Sequence, residues 1–187
     1  EDNHLLVVEK PVNLPVQADS SGDEDLLSLL KAYLRERYGK PGEAYLGLVH
    51  RLDRPVGGVM VFAKTSKAAE RLSAQFNSHE AKKRYAAIVS GRPDAQEYLT
   101  DWLYKDETTF SSRVVPKGTN GAKEARLSYA LLGQAEKTAL LDIELYTGRP
   151  HQIRVQLLHA GYPIFGDQRY EPSQEPGAQI RLLAYYL

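Results

Sequence analysis

His50-Arg51-Leu52-Asp53-Arg54-Pro55-Val56-Gly57-Gly58 separates two apolar runs, Tyr45 to Val49 before it and Val59 to Ala63 after it. Short apolar runs, rich in Val and bounded by Gly and Pro, read as buried strands. A charged cluster between two such strands is the anomaly of this chain. If the backbone is extended here, Arg51 and Asp53 share one face, with His50 and Leu52 on the other. Pro55 cannot donate to a ladder, and Gly57-Gly58 lets another backbone or a ligand come close. The stretch reads as a carboxylate on a bend between strands, next to a cation.

Upstream, Leu5 to Val8 predicts a short strand, and Pro11 to Pro15 an extended segment. Ser21 and Glu24 have capping-box spacing, and Leu26, Leu27, Leu30 and Leu34 follow at helical spacing. Gly39 and Pro41 end the pattern, which predicts a helix from about Asp23 to Tyr38. Its basic residues Lys31, Arg35 and Arg37 read as a solvated face.

Downstream, Ser66 to Asn77 predicts a second helix, with Ala68, Leu72 and Phe76 as its buried stripe. The second half of Lys82 to Gly91 predicts a strand with Lys83, Tyr85, Ala87 and Val89 on one face. Residues 96–131 alternate, with turn signals near Asp106-Glu107 and Lys117 to Gly121, as antiparallel strands do. Thr138 to Tyr146 predicts a further strand. Pro150 suits the first position of a helix and Gly161 the residue after its end, so Pro150 onward predicts about three helical turns. In that helix His151 and Arg154 face the same way, and Ile153 and Leu157 face the core. Arg181 to Leu187 predicts a last strand, and the chain stops there without a turn.

The 187 residues suffice for one domain with a substantial core. No apolar run is long enough to span a membrane, and no basic stretch followed by an apolar one opens the chain. With no Cys there is neither a disulfide nor a thiolate metal site, which favours a cytoplasmic protein. The net charge is zero, but it is unevenly spread. Residues 1–48 carry −4, residues 49–92 carry +6 and residues 93–187 carry −2. The positive excess falls on the segment that holds Asp53, where it would steer a polyanion. His151 and His159 are eight apart and point to different sides of a helix, which excludes a helical zinc pair. No phosphate-binding Gly loop and no nucleophile elbow is present.

Three motifs, in order and over nearly the whole chain, resemble those of the RluA-type pseudouridine synthases. His50 to Gly58 is similar to that family's His-Arg-Leu-Asp-x-x-Thr-Ser-Gly. Lys83, Tyr85, Ala87, Val89 and Gly91 match Lys-x-Tyr-x-Ala-x-Val-x-Gly. Gly148-Arg149-Pro150-His151-Gln152-Ile153-Arg154-Val155-Gln156, followed by Gly166-Asp167 and Tyr170, resembles Gly-Arg-x-His-Gln-Ile-Arg-Val-His and then Gly-Asp-x-x-Tyr. Lys10-Pro11-Val12-Asn13-Leu14-Pro15-Val16 resembles the opening of the family's catalytic domain, so an appended N-terminal RNA-binding domain is expected to be absent here. Val56 and Gly57 stand where Thr and Ser are usual, Pro150 where Thr is common, and Gln156 where His is usual. These departures bear on loop geometry and substrate choice.

The resemblance implies one α+β catalytic domain over residues 1–187, cut short at its C-terminal end. Its sheet is expected to be mixed and largely antiparallel, with flanking helices and a central cleft. It implies isomerisation of uridine to pseudouridine in structured RNA, rRNA or tRNA, with no cofactor and no metal, by a monomer without an obligate protein partner. Asp53 is then the catalytic carboxylate, Arg154 its ion-pair partner and Tyr85 the ring on the flipped uracil and the base. Arg51 would fill the space the base vacates, and Leu182 would pack on the uracil. His151, Arg149 and Lys83 are further candidates for RNA contact. Two rival readings remain at this point. One is a catalytically silent RNA-binding or assembly protein on the same fold. The other is a metal-dependent hydrolase using His50, Asp53 and His151.

Overall fold

The apolar run near the start of the chain forms β1 (Leu5–Lys10). The computed structural model describes residues 1–39, 41–172 and 177–187. The chain resolves into two compact units, residues 1–81 with Leu187, and residues 82–186.

In the first unit, β1 is followed by α1 (Leu26–Arg37), β2 (Gly47–Leu48), β3 (Gly57–Ala63) and α2 (Ser66–Asn77). β3 is central, with Met60, Phe62 and Ala63 fully buried. β1 lies antiparallel along its whole length, from Leu5 opposite Ala63 to Lys10 opposite Gly58. β2 pairs only with its far end, Gly47 opposite Ala63 and Leu48 opposite Phe62. Gly57 explains why β1 can lie so close at the other end: a Cβ there would meet the Lys10 carbonyl and Val12 Cγ1, each at 3.2 Å.

α1 begins later than the Ser21–Glu24 spacing predicts. The N-cap is Asp25, whose carboxylate accepts from the Ser28 N–H at 3.0 Å and from the Ser28 hydroxyl at 2.7 Å. Ser21 is taken instead by a local turn, its N–H and hydroxyl both donating to Asp19. α2 has the predicted bounds. Thr65 caps it by accepting from the Ala68 N–H.

The second unit holds β4 (Arg84–Ser90), β5 (Gln96–Lys105), β6 (Ser112–Val115), β7 (Lys123–Gln134), β8 (Thr138–Leu145), α3 (Gln152–His159) and β9 (Leu182–Tyr186). The strands run in the order β9-β4-β8-β7-β5-β6, and every pairing within this unit is antiparallel. With its helix against such a sheet, the chain has the predicted α+β class. α3 contributes Val155 to a core cluster with Leu103 and Ala125, against which Val114 and Tyr170 pack.

α3 is shorter than predicted and starts at Gln152 rather than Pro150. His151 adopts φ 55°, ψ 22°, a left-handed conformation that cannot continue a right-handed helix. The loop before it is tied back by Gln152, whose Oε1 accepts from the Thr147 hydroxyl at 2.7 Å and from the Arg149 N–H at 3.0 Å. The helix is buried nearly all round, from Gln152 to Leu157. Gln156, in place of the usual His, is fully buried and has every polar atom engaged. It accepts from Gln152 Nε2 at 2.9 Å and donates to Asp101 at 2.7 Å and to the Ala125 carbonyl at 3.3 Å.

Candidate active site

The loop that carries Asp53 is held at both ends within the first unit. β2 stops at Leu48, and the Val61 N–H in β3 donates instead to His50 Nε2 at 3.0 Å. A side chain thus replaces a strand partner. The imidazole also stacks on Phe76 of α2, with centroids 4.7 Å apart. Past the carboxylate, the Val56 N–H closes a turn onto the Asp53 carbonyl at 3.0 Å, and Val56 is buried. That backbone bond orders the turn in place of the two hydroxyls that Val56 and Gly57 lack. Leu52 is buried, Asp53 half-buried and Arg51 exposed. Arg54 does not point with them. Its guanidinium pairs with Asp23 and donates to Ser21 at 3.1 Å.

Lys10 completes the tether. It is 1% exposed, and its ammonium donates to three carbonyls: Leu14 at 2.7 Å, Pro11 at 3.0 Å and Arg54 at 3.0 Å. Three donors therefore meet three acceptors, which is what a buried ammonium needs. Burial holds its pKa down to about 8, and the Asp53 charge acts in the opposite direction. The Lys10-Pro11 dipeptide was visible in the sequence, but nothing in it named the Arg54 carbonyl, 44 residues away, as a partner.

In the second unit, Tyr85 is half-buried in β4. It lies opposite Ala184 of β9, and Ala87 lies opposite Leu182. Directly opposed residues share a face, so Tyr85 and Leu182 are diagonal neighbours on one side of the sheet, within reach of one planar ring.

Arg154 lies on α3 and is 5% exposed. Its Nε donates to Asp167 Oδ2 at 2.8 Å and a terminal nitrogen to Oδ1 at 2.6 Å. Asp167 Oδ1 also accepts from the Arg169 N–H at 3.1 Å and the Tyr170 N–H at 3.3 Å. The Arg154 guanidinium lies over the Tyr170 ring, 4.9 Å from its centroid. The Tyr170 hydroxyl accepts from the Ser112 N–H at 2.9 Å and lies 2.6 Å from His151 Nδ1. The Tyr170 hydroxyl thus bridges the Ser112 N–H and the His151 ring. His151 and Arg154 are thus brought together through Tyr170. Asp167 and Tyr170 stood in the sequence motif without a role; their partners are what the fold adds.

Lys83 is 9% exposed and reaches the Thr147–Arg149 loop. Arg149 is half-buried, and its Nε donates to the Glu124 carbonyl at 2.8 Å. Among the described residues, no group of three or more His, Cys, Asp or Glu side chains could hold a metal ion. No helix among the described residues is long and apolar enough to cross a membrane.

The profile of the family described as RNA pseudouridylate synthase matches residues 4–159. The ribosomal large subunit pseudouridine synthase D of Zymomonas mobilis subsp. mobilis is 34% identical over 177 residues, covering 94% of this chain and 56% of that protein. The ribosomal large subunit pseudouridine synthase C of Vibrio cholerae is 34% identical over 171 residues, covering 91% of this chain and 51% of that protein. The chain spans about half the length of these curated relatives. Among solved structures, human RNA Pseudouridylate Synthase Domain Containing 4 superposes with a TM-score of 0.83 at 24% identity, over 98% of this chain and 80% of that one. Human RNA Pseudouridylate Synthase Domain Containing 1 gives 0.76 at 20% identity, over 100% of this chain and 75% of that one. The two structures share the fold with this chain.

Proposed function

The chain belongs to the RNA pseudouridylate synthase family, and from that premise we propose that it isomerises uridine to pseudouridine in structured RNA. Large-subunit rRNA is the first substrate to test, because the bacterial relatives carry it in their names. A cytoplasmic location goes with that substrate.

In this isomerisation the N1–C1′ bond breaks and a C5–C1′ bond forms. C5 gives up its hydrogen as a proton and N1 gains one. No electron is exchanged with an outside partner and no group enters, so the reaction needs no cofactor. It needs a carboxylate at C1′, as nucleophile or as stabiliser of developing positive charge. It also needs a base for the proton, and a means of taking the nucleotide out of its stack.

The roles follow the family motifs. Asp53 is the carboxylate. Tyr85 is the ring under the uracil and the base, with Leu182 packing on the same ring. Arg154 supplies a permanent positive charge to the reaction. Arg51 takes the space the flipped base leaves, and His151 contacts the RNA.

The observation that carries the reading is the tethering of the Asp53 loop by His50 on one side and Lys10 on the other. A half-buried carboxylate held on a fixed turn is what attack on a sugar carbon requires, because misplacement by about 1 Å costs about a hundredfold in rate. The test is release of tritium from 5-tritiated uridine in rRNA and tRNA from cells lacking this protein. Asp53→Asn should abolish release while circular dichroism and the melting temperature stay close to wild type. Substantial release by the folded variant would sink the assignment.

A further inference from the structure

Two buried lysines of this chain are treated in opposite ways. Lys10 has three carbonyls at 2.7–3.0 Å for its three protons. Lys83, also buried, has the Thr147 carbonyl at 3.5 Å, beyond good hydrogen-bond length. Among the described residues no carboxylate pairs with it. Its charged neighbour is Arg149, of like sign. Burial first, and then that neighbour, hold its pKa below the ordinary lysine value.

The space beside this ammonium is open. Gly148 is exposed, and a methyl placed on it would meet Lys83 Nζ at 3.7 Å and, Thr147 and Arg149 aside, no other atom within 4 Å. Arg149 is anchored through Nε on the Glu124 carbonyl, and its two terminal nitrogens make no hydrogen bond among the described residues. Two cations with unused donors thus lie beside an open notch over an exposed glycine. A buried cation without a counter-charge is costly, and an anionic ligand that supplies the missing charge would offset that cost.

We propose that this notch seats one phosphate of the RNA backbone, with Lys83 Nζ and the Arg149 guanidinium on its oxygens and Gly148 beneath. The inference rests on the synthase reading and deepens it, by giving two basic residues a ligand atom and a geometry. A phosphodiester offers two non-bridging oxygens, which suit a point cation and a planar fork at once. Such a contact carries no sequence information. It fixes the register of the strand, and base readout is left to other residues.

The experiment measures binding of bulk rRNA against salt concentration for the wild type, Lys83→Met, Arg149→Gln, the double variant and Gly148→Ala. Each single change should weaken binding uniformly across RNAs and lower the slope of log K against log salt by about 1. The double variant should lose no more slope than either single one, because one phosphate is lost. Gly148→Ala, which fills the notch, should weaken binding with both cations in place. Lys83→Met should melt at or above the wild-type temperature, because a buried charge without a counter-ion has gone. An unchanged slope in Lys83→Met and Arg149→Gln, with tritium release intact in the wild type, would overturn the notch alone. A lowered melting temperature with an unchanged slope would make Lys83 a structural residue and overturn it too. A wild type that neither binds RNA nor releases tritium would overturn the notch together with the synthase reading.

Discussion

Arg154 and Asp167 face each other as a fork on a fork, two hydrogen bonds of 2.8 and 2.6 Å between side chains that are 5% and 2% exposed. A buried pair of this kind adds little net stability over apolar residues of similar size. Breaking it from one side is what costs, because the remaining charge stays buried.

Arg154→Ala and Asp167→Ala are therefore each expected to lower stability by about 3–5 kcal/mol. The double change to leucines should lose less than the sum of the two single losses while leaving no tritium release. Trp102, the one tryptophan of the chain, lies on β5 of the same unit, so its fluorescence in a urea titration reports the right part of the molecule. If the double variant loses the sum of the two single losses, the pair is not coupled as described.

Tyr170 supports this pair from its ring face and His151 from its hydroxyl. Tyr170→Phe keeps the ring over Arg154 and removes the bridge between the Ser112 N–H and His151. The expected loss of stability is about 1–2 kcal/mol. Nitrogen-15 spectra should find His151 mainly as the Nε2–H tautomer in the wild type and as a mixture in Tyr170→Phe. An unchanged tautomer in the variant would remove Tyr170 from its positioning role.

The elements of this fold were legible where the signal is local. α2 starts and ends as predicted because Thr65 caps it and Ala68, Leu72 and Phe76 recur on one face, although that stripe is half-buried rather than buried. α1 starts later than the Ser21–Glu24 spacing predicts, because a spacing rule cannot say that Ser21 turns onto Asp19 and leaves Asp25 to cap the helix. α3 starts two residues after Pro150 because His151 turns left-handed, which nothing in the sequence signals. The site divides in the same way. The motifs name Asp53, Tyr85 and Arg154, but the supports are partners distant in sequence. Arg54 for Lys10, Asp167 for Arg154 and Ser112 for Tyr170 are set by packing, which no periodicity encodes.

Gly166 is one of those supports. At φ 78° it turns the chain just before Asp167, and a Cβ there would run into the Gln179 carbonyl. Gly166→Ala combines a left-handed penalty with a backbone clash, for an expected cost of about 1–3 kcal/mol. Turnover should fall with it, because Asp167 would shift away from Arg154. Thermal melting and tritium release on the same preparation check both. Wild-type stability with lost turnover would mean that the turn, rather than the pair, matters.

Lys10 gives the stability of the first unit a pH dependence of predictable sign. Its pKa is about 8 in the fold against an ordinary 10.5, so between these values the folded chain has released a proton that the unfolded chain keeps. Stability tied to this group therefore rises with pH across that window, by at most about 1.4 kcal/mol per pH unit. Below pH 8 it is charged in both states, and the contribution is level. Lys10→Met removes the titration and also strands the Pro11, Leu14 and Arg54 carbonyls, so it should be less stable at every pH. Urea denaturation of both proteins from pH 7 to 10 separates the two effects. The gap between wild type and variant should be constant up to about pH 8 and widen above it. A gap that narrows above pH 8 would mean that the three carbonyls hold Lys10 as a stabilised cation, and that burial is not what governs it.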